Sequence, residues 1–105
     1  MDLMDELQQI ADEVHNEVSE LTGEELLEWL RDNMQDVTVT TDCYNAPGTI
    51  EGYDVYLTGY NYAVRIDTSS QDIEVLEGVS NVAIHGITEE LTNKIEQFLE
   101  SEILN

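Results

Sequence analysis

Apolar residues recur every three or four positions through the first fifth of the chain. Leu3, Leu7, Ile10, Val14, Val18 and Leu21 form one stripe with Ala11 beside it, which predicts an amphipathic helix over 2–20. Thr22 followed by Glu25 has the form of a capping box, so a second helix is expected to start at Gly23. It is expected to run through Leu26, Leu27, Leu30 and Met34, with Trp29 near the stripe, and to end at Asp36. The period then shortens from 3.6 to 2. Val37 to Thr41 reads as a strand by its β-branched content. Asn45-Ala46-Pro47-Gly48 reads as a turn. Ile50, Tyr53, Val55 and Leu57 mark a second strand, and Gly52 breaks its alternation as a bulge would.

A hairpin connection is expected to begin at Thr58-Gly59. Tyr60, Tyr62, Val64 and Ile66 alternate with Asn61, Ala63, Arg65 and Asp67, the pattern of a half-buried third strand. Asp67 to Gln71 is turn-like, Ile73-Glu74-Val75 starts a fourth strand, and Val82-Ala83-Ile84 suggests a short fifth. Thr88 is placed to cap a C-terminal helix with Glu89 and Glu90 in its first turn and Leu91, Ile95, Phe98, Leu99 and Ile103 as its stripe. The expected fold is α+β, a single domain over 1–105. An antiparallel four- to five-stranded meander carries two N-terminal helices and one C-terminal helix on one face, in the order α-α-β-β-β-β-(β)-α.

Charge changes what this fold is expected to do. The 105 residues hold 24 carboxylates against three bases (Arg31, Arg65 and Lys94), a formal net charge of −21. Self-repulsion at that level works against a compact state. Hydrophobic content of 41%, with five Tyr, one Trp and one Phe, is too apolar for a disordered acidic tail. The charge is uneven: −11 over 1–36, −3 over 37–67 and −7 over 68–105. The first thirty residues contain ten acids and no Lys or Arg. Solvated helices ordinarily mix signs, because Glu–Lys pairs four apart stabilise by ~0.2–0.5 kcal/mol each. Here Glu13–Glu17, Glu20–Glu24, Glu24–Glu28 and Glu96–Glu100 place like charges at that spacing.

Carboxylates four apart on a helix are separated by ~6 Å of rise. Each DNA strand sets a phosphate every ~3.4 Å along its axis, and the winding backbone lengthens the true spacing. A column of Glu is thus a rough copy of a phosphate row. In bulk charge, length and α+β layout the chain resembles the acidic DNA-mimic inhibitors of phages and mobile elements. Those proteins block restriction enzymes, CRISPR effector complexes or DNA-repair enzymes of bacteria. The resemblance involves no sequence motif, so it implies a class of function and no site residue.

The expected partner is a basic nucleic-acid-binding protein or complex in a bacterial cytoplasm, with no direct nucleic acid and no membrane. The contact residues expected from the sequence are Asp12, Glu13, Glu17, Glu20, Glu24, Glu25 and Glu28 on the first two helices. Asp54, Tyr44 and Tyr56 join them as outward residues of the middle segment, with Tyr53, Tyr60 and Tyr62 facing inward. Two other roles fit the composition. One is an acidic adaptor for some other basic protein. The other is a halophilic domain whose acid serves solubility, against which Glu (15) outnumbers Asp (9) and Ala is scarce at four. A homodimer stays open; two such negative surfaces would meet only through a neutral patch, for which the less charged sheet is the candidate.

No catalytic residue, cofactor or metal site is expected. Cys43 is the single cysteine and follows Asp42, whose charge disfavours a thiolate. It permits no internal disulfide and suits a reducing compartment. His15, three residues after Asp12, and His85, in an expected loop, have no third ligand at a recognisable spacing. No calcium-binding or phosphate-cradling loop occurs. Acid also stands at the N-terminus where a signal peptide needs positive charge.

Overall fold

The structure is a computed structural model that describes residues 2–42 and 49–102, without the side chains of 42, 49 and 83–85. Helices α1 (Leu3–Glu20) and α2 (Gly23–Asn33) precede strands β1 (Met34–Asp42), β2 (Thr49–Leu57), β3 (Ala63–Asp67), β4 (Asp72–Glu77) and β5 (Ser80–His85), and helix α3 (Glu89–Glu102) follows. The strands form one antiparallel sheet in the order β1-β2-β3-β4-β5. This is the expected α+β meander, with the short fifth strand present.

The helical stripes and the strand alternation converge on one core. Leu7, Ala11, Val14 and Val18 of α1, Leu26 and Leu30 of α2, and Ile95 and Leu99 of α3 are almost wholly buried. They meet Tyr53, Val55, Val64, Ile66, Ile73 and Val75 from one face of the sheet. Each such aliphatic side chain contributes roughly 1.5–3 kcal/mol on burial, the main force set against the charge. α1 lies over β4 and β5.

Local chemistry sets the boundaries. Asp2 caps α1 by accepting the Asp5 N–H, and Thr88 Oγ1 caps α3 by accepting the Leu91 N–H at 3.2 Å. Thr22 is the N-cap of α2, but its hydroxyl donates to Glu25 Oε1 at 3.3 Å and caps no backbone N–H, so the box closes between side chains only. At Gly52 the β1–β2 register slips, with Thr40 opposite Gly52 and Thr41 opposite Ile50, as the broken alternation suggested. A Cβ there would fall 2.8 Å from Ser69 Cβ and 2.9 Å from Ser69 N, so only glycine admits the β3–β4 turn against β2. Glu77 pairs with Ser80 across a two-residue turn whose first residue, Gly78, has φ +61°, the geometry a tight hairpin needs.

Four expectations are corrected. Tyr60 and Tyr62 precede β3, which begins at Ala63; they sit in the connecting loop, half-buried against the core. Met34 opens β1 and packs on the core from there, because α2 stops at Asn33, ahead of Asp36. Glu20 and Glu24 belong to different helices, separated by extended residues Leu21 and Thr22, so they are no i,i+4 pair. His85 ends β5 and is no loop residue. The turn at Asn45–Gly48 and the Ile103 position lie outside the described residues. Among the described residues no helix is long and apolar enough to cross a membrane.

Candidate functional site

Helical phase sorts the acids of α1 into two columns. Glu6, Glu13, Glu17 and Glu20 fall within about 60° of one another, and Asp12 lies more than 100° away from Glu17 around the axis. On α2, Glu25, Glu28 and Asp32 form a similar column with Glu24 at its shoulder and Trp29 beside Glu25. The two columns meet at one contact: Trp29 Nε1 donates to Glu17 Oε1 at 2.8 Å. This contact marks a seam beside which Glu13 and Glu20 stand by their phase with Glu17, and Glu25 by its phase with Trp29; Glu28 and Asp32 lie farther round α2, and all six acids are exposed.

Four of the acids on these two columns are held by neutral donors. Gln9 donates to Glu13 at 3.4 Å, Thr22 to Glu25, Trp29 to Glu17, and the Tyr62 hydroxyl to Glu6. On the other side of α1, Gln8 donates to Asp12 at 3.1 Å. Each contact orients a carboxylate and leaves its charge uncompensated. Glu20, Glu24, Glu28 and Asp32 have no hydrogen-bond or ion-pair partner among the described residues. The field reaches the aromatic loop. The Tyr60 hydroxyl is pushed up from its ordinary range by burial and then by Glu17 and Glu13. The Tyr62 hydroxyl is pushed up chiefly by its hydrogen bond to Glu6. A shallow groove of about 290 Å³ runs here between α1 and the loop, lined by Glu6, Gln9, Ile10, Glu13, Asn61 and Tyr62.

All three bases are engaged elsewhere. Arg31 pairs with Glu102 and lies 5.7 Å from the Phe98 ring centroid. Lys94 pairs with Glu90 at 3.4 Å, and Arg65 pairs with Glu74 and, at 3.8 Å, with Asp54. None is spent on the α1–α2 seam.

Asp54 and Tyr56 face away from the helices, as expected, and so belong to a second surface on the open side of the sheet. Both are half-buried. Asp36, Tyr56, Arg65 and Glu74 stand in one cross-strand row, and Thr38, Asp54, Asp67 and Asp72 in the next. This face is therefore acidic too, which corrects the expectation that the sheet supplies a neutral patch. Asp54 and Asp67 are direct cross-strand partners. Burial, then Asp67, raises the Asp54 carboxyl above its ordinary range. Burial pushes Asp67 the same way, but hydrogen bonds from the N–H and hydroxyl groups of Ser69 and Ser70 outweigh it and hold Asp67 low. Tyr44 and Cys43 lie outside the described residues.

Helical phase and the Trp29–Glu17 contact place Glu13, Glu17, Glu20 and Glu25 along one seam, leave Glu24 and Glu28 farther round α2, and set Asp12, Asp54 and Tyr56 on other surfaces. Sequence reasoning omitted Glu6 and Asp32, although the spacing of each places it in its column. Trp29 as a carboxylate anchor had no sequence signal, because its partner comes from another helix. His15 is half-buried, and a Cβ at Gly86 would lie 3.5 Å from its Nε2. Among the described residues no group of three or more His, Cys, Asp or Glu side chains is arranged to hold a metal ion. The chain matches no protein-family model, no curated protein and no solved structure.

Proposed function

We propose that this protein is a non-enzymatic DNA-mimic inhibitor. It occupies the basic nucleic-acid groove of a bacterial defence or DNA-processing complex, of the anti-CRISPR or anti-restriction kind, in the bacterial cytoplasm. One observation carries the proposal: Glu13, Glu17 and Glu25 of the α1–α2 seam are oriented by neutral donors while every base of the chain pairs elsewhere. A domain using acid only for solubility has no need to fix its carboxylates. A phosphate mimic does, because orienting the charges beforehand lowers the ordering cost of binding. Lys and Arg that grip a phosphate row would meet two rows of carboxylates on adjoining helices. The field steers encounter as DNA's own does, so association is fast and salt-sensitive.

The test is capture followed by competition. Tagged protein is immobilised, a bacterial lysate is passed over it at moderate salt, and the retained material is challenged with duplex DNA and RNA. Retention of a nucleic-acid-binding complex that nucleic acid displaces is the expected outcome. A retained partner indifferent to nucleic acid would point to the adaptor role instead. An empty column from a folded chain would count against mimicry for that host.

A further inference from the structure

We propose that the shallow groove between α1 and the loop ahead of β3 is an arginine pocket. It takes an Arg side chain of the basic partner, with the stem along Ile10 and Tyr62 and the guanidinium against Glu13. That the arginine belongs to an inhibited complex rests on the function proposed above; the pocket itself rests on its lining. α1 contributes Glu6, Ile10 and Glu13, spaced i, i+4 and i+7, which places all three within about 60° of one another over ~10 Å of helix axis. The loop contributes Asn61 and Tyr62, and Gln9 completes the groove of about 290 Å³.

Three features select the occupant. The first is charge. No base lines the groove, and each of the three bases of the chain is paired with an acid elsewhere. The two carboxylates accept from neutral groups only, Glu6 from the Tyr62 hydroxyl and Glu13 from Gln9 at 3.4 Å, so both charges stay uncompensated. The second is the apolar surface between those charges. Ile10 and Tyr62 are both half-buried and pack on the core, giving the groove an aliphatic and aromatic floor. A bare inorganic cation gains nothing from such a floor, whereas a long apolar stem with a charged head is matched to it. The third is the ring beside the acids. A guanidinium is planar and weakly hydrated; it stacks on aromatic rings and forks onto carboxylates, which the compact ammonium of Lys does not. The chain makes this combination once internally, where Arg31 lies 5.7 Å from the Phe98 ring centroid and pairs with Glu102. Glu13 also belongs to the acidic column that runs to Glu17 and Glu20. The pocket thus continues that column and gives it a preference for Arg over Lys.

The test is NMR of the full isotope-labelled chain at low ionic strength, titrated with a blocked Gly-Arg-Gly peptide and separately with Gly-Lys-Gly. Amide shifts should concentrate at Glu6, Gln9, Ile10, Glu13, Asn61 and Tyr62, and the Arg peptide should bind at least about threefold more tightly than the Lys peptide. Tyr62→Leu keeps apolar bulk and removes the ring, and should make the two peptides equal. Glu13→Gln alters an exposed side chain that the fold does not need, and should weaken the Arg peptide. Shifts spread evenly over every acidic surface, equal binding of Arg and Lys by the unaltered chain, or undiminished Arg binding by Glu13→Gln would each overturn the pocket. Its failure and that of the inhibitor function are separable. A peptide that binds here beside an empty lysate column would strike the inhibitor and keep the pocket. A captured complex displaced by nucleic acid, with no peptide bound in the groove, would do the reverse.

Discussion

The Trp29 indole donates to Glu17 Oε1 at 2.8 Å, tying the acidic face of α1 to α2 at a point where the indole is 8% exposed. A half-buried hydrogen bond to a carboxylate typically contributes about 1.5–3 kcal/mol, less where water reaches it. Trp29→Phe keeps most of the apolar volume and removes the donor. It is expected to cost about 1 kcal/mol in urea denaturation. It should also weaken target capture more than that loss of stability explains, since Glu17 would no longer be held.

The seam should be a place where binding and stability oppose each other. Glu13→Gln, Glu24→Gln and Glu28→Gln together remove the like-charge pairs Glu13–Glu17 and Glu24–Glu28 and keep side-chain size. At low salt the triple variant is expected to gain roughly 0.5–1 kcal/mol of stability, with the gain fading as salt rises. Capture of the basic target should fall at least tenfold. A variant that stays fully able to bind would move the contact off the seam. Folding of the unaltered chain at low salt, followed by circular dichroism, separates this protein from a halophilic domain, which would unfold there.

Gly52 is a structural requirement of the sheet. Its missing Cβ leaves room for Ser69, whose backbone N would lie 2.9 Å from an added methyl and cannot rotate away. Gly52→Ala is predicted to destabilise by about 1–3 kcal/mol, the usual cost of overpacking. The same turn is bonded to β2 through Thr68, whose Oγ1 accepts the Tyr53 N–H at 2.9 Å and donates to Glu96 at 3.1 Å. The effect should appear as a lowered denaturation midpoint with an unchanged slope.

Asp54 and Asp67 should respond to pH with opposite signs. Asp54 is raised, so its proton is bound more tightly in the folded state. The stabilisation from that proton is complete below the unfolded carboxyl range and is lost as pH climbs through the folded value. Asp67 is lowered, so its contribution is present above the unfolded range and is lost as pH falls through the folded value. Asp54→Asn should therefore raise the melting temperature at neutral pH and lose that advantage near pH 3. Asp67→Asn should lower the melting temperature at neutral pH, through the lost bonds to Ser69 and Ser70. Thermal melts of both variants across the acid range check the pair.

Legibility followed the range of the forces involved. Thr88 as a cap, Gly23 as a helix start and the alternation of Val64 and Ile66 depend on neighbours a few residues away, and each was readable. The third strand was read too long because Tyr60 and Tyr62 keep the period of a strand. They are instead held in a loop by packing on the core and by the Tyr62 bond to Glu6, across 56 residues of chain. Glu20 and Glu24 looked like a repelling pair because spacing alone does not reveal a helix break between them.

Composition and periodicity by themselves determined an acidic α+β domain with a charged helical face, because burial follows the period of apolar residues and charge follows residue type. Which acids share a surface was decided only by the tertiary structure. The Trp29–Glu17 bond ties the acidic column of α1 to α2. Sheet register placed Asp54 opposite Asp67. Those relationships join residues far apart in the chain, and no local preference encodes them.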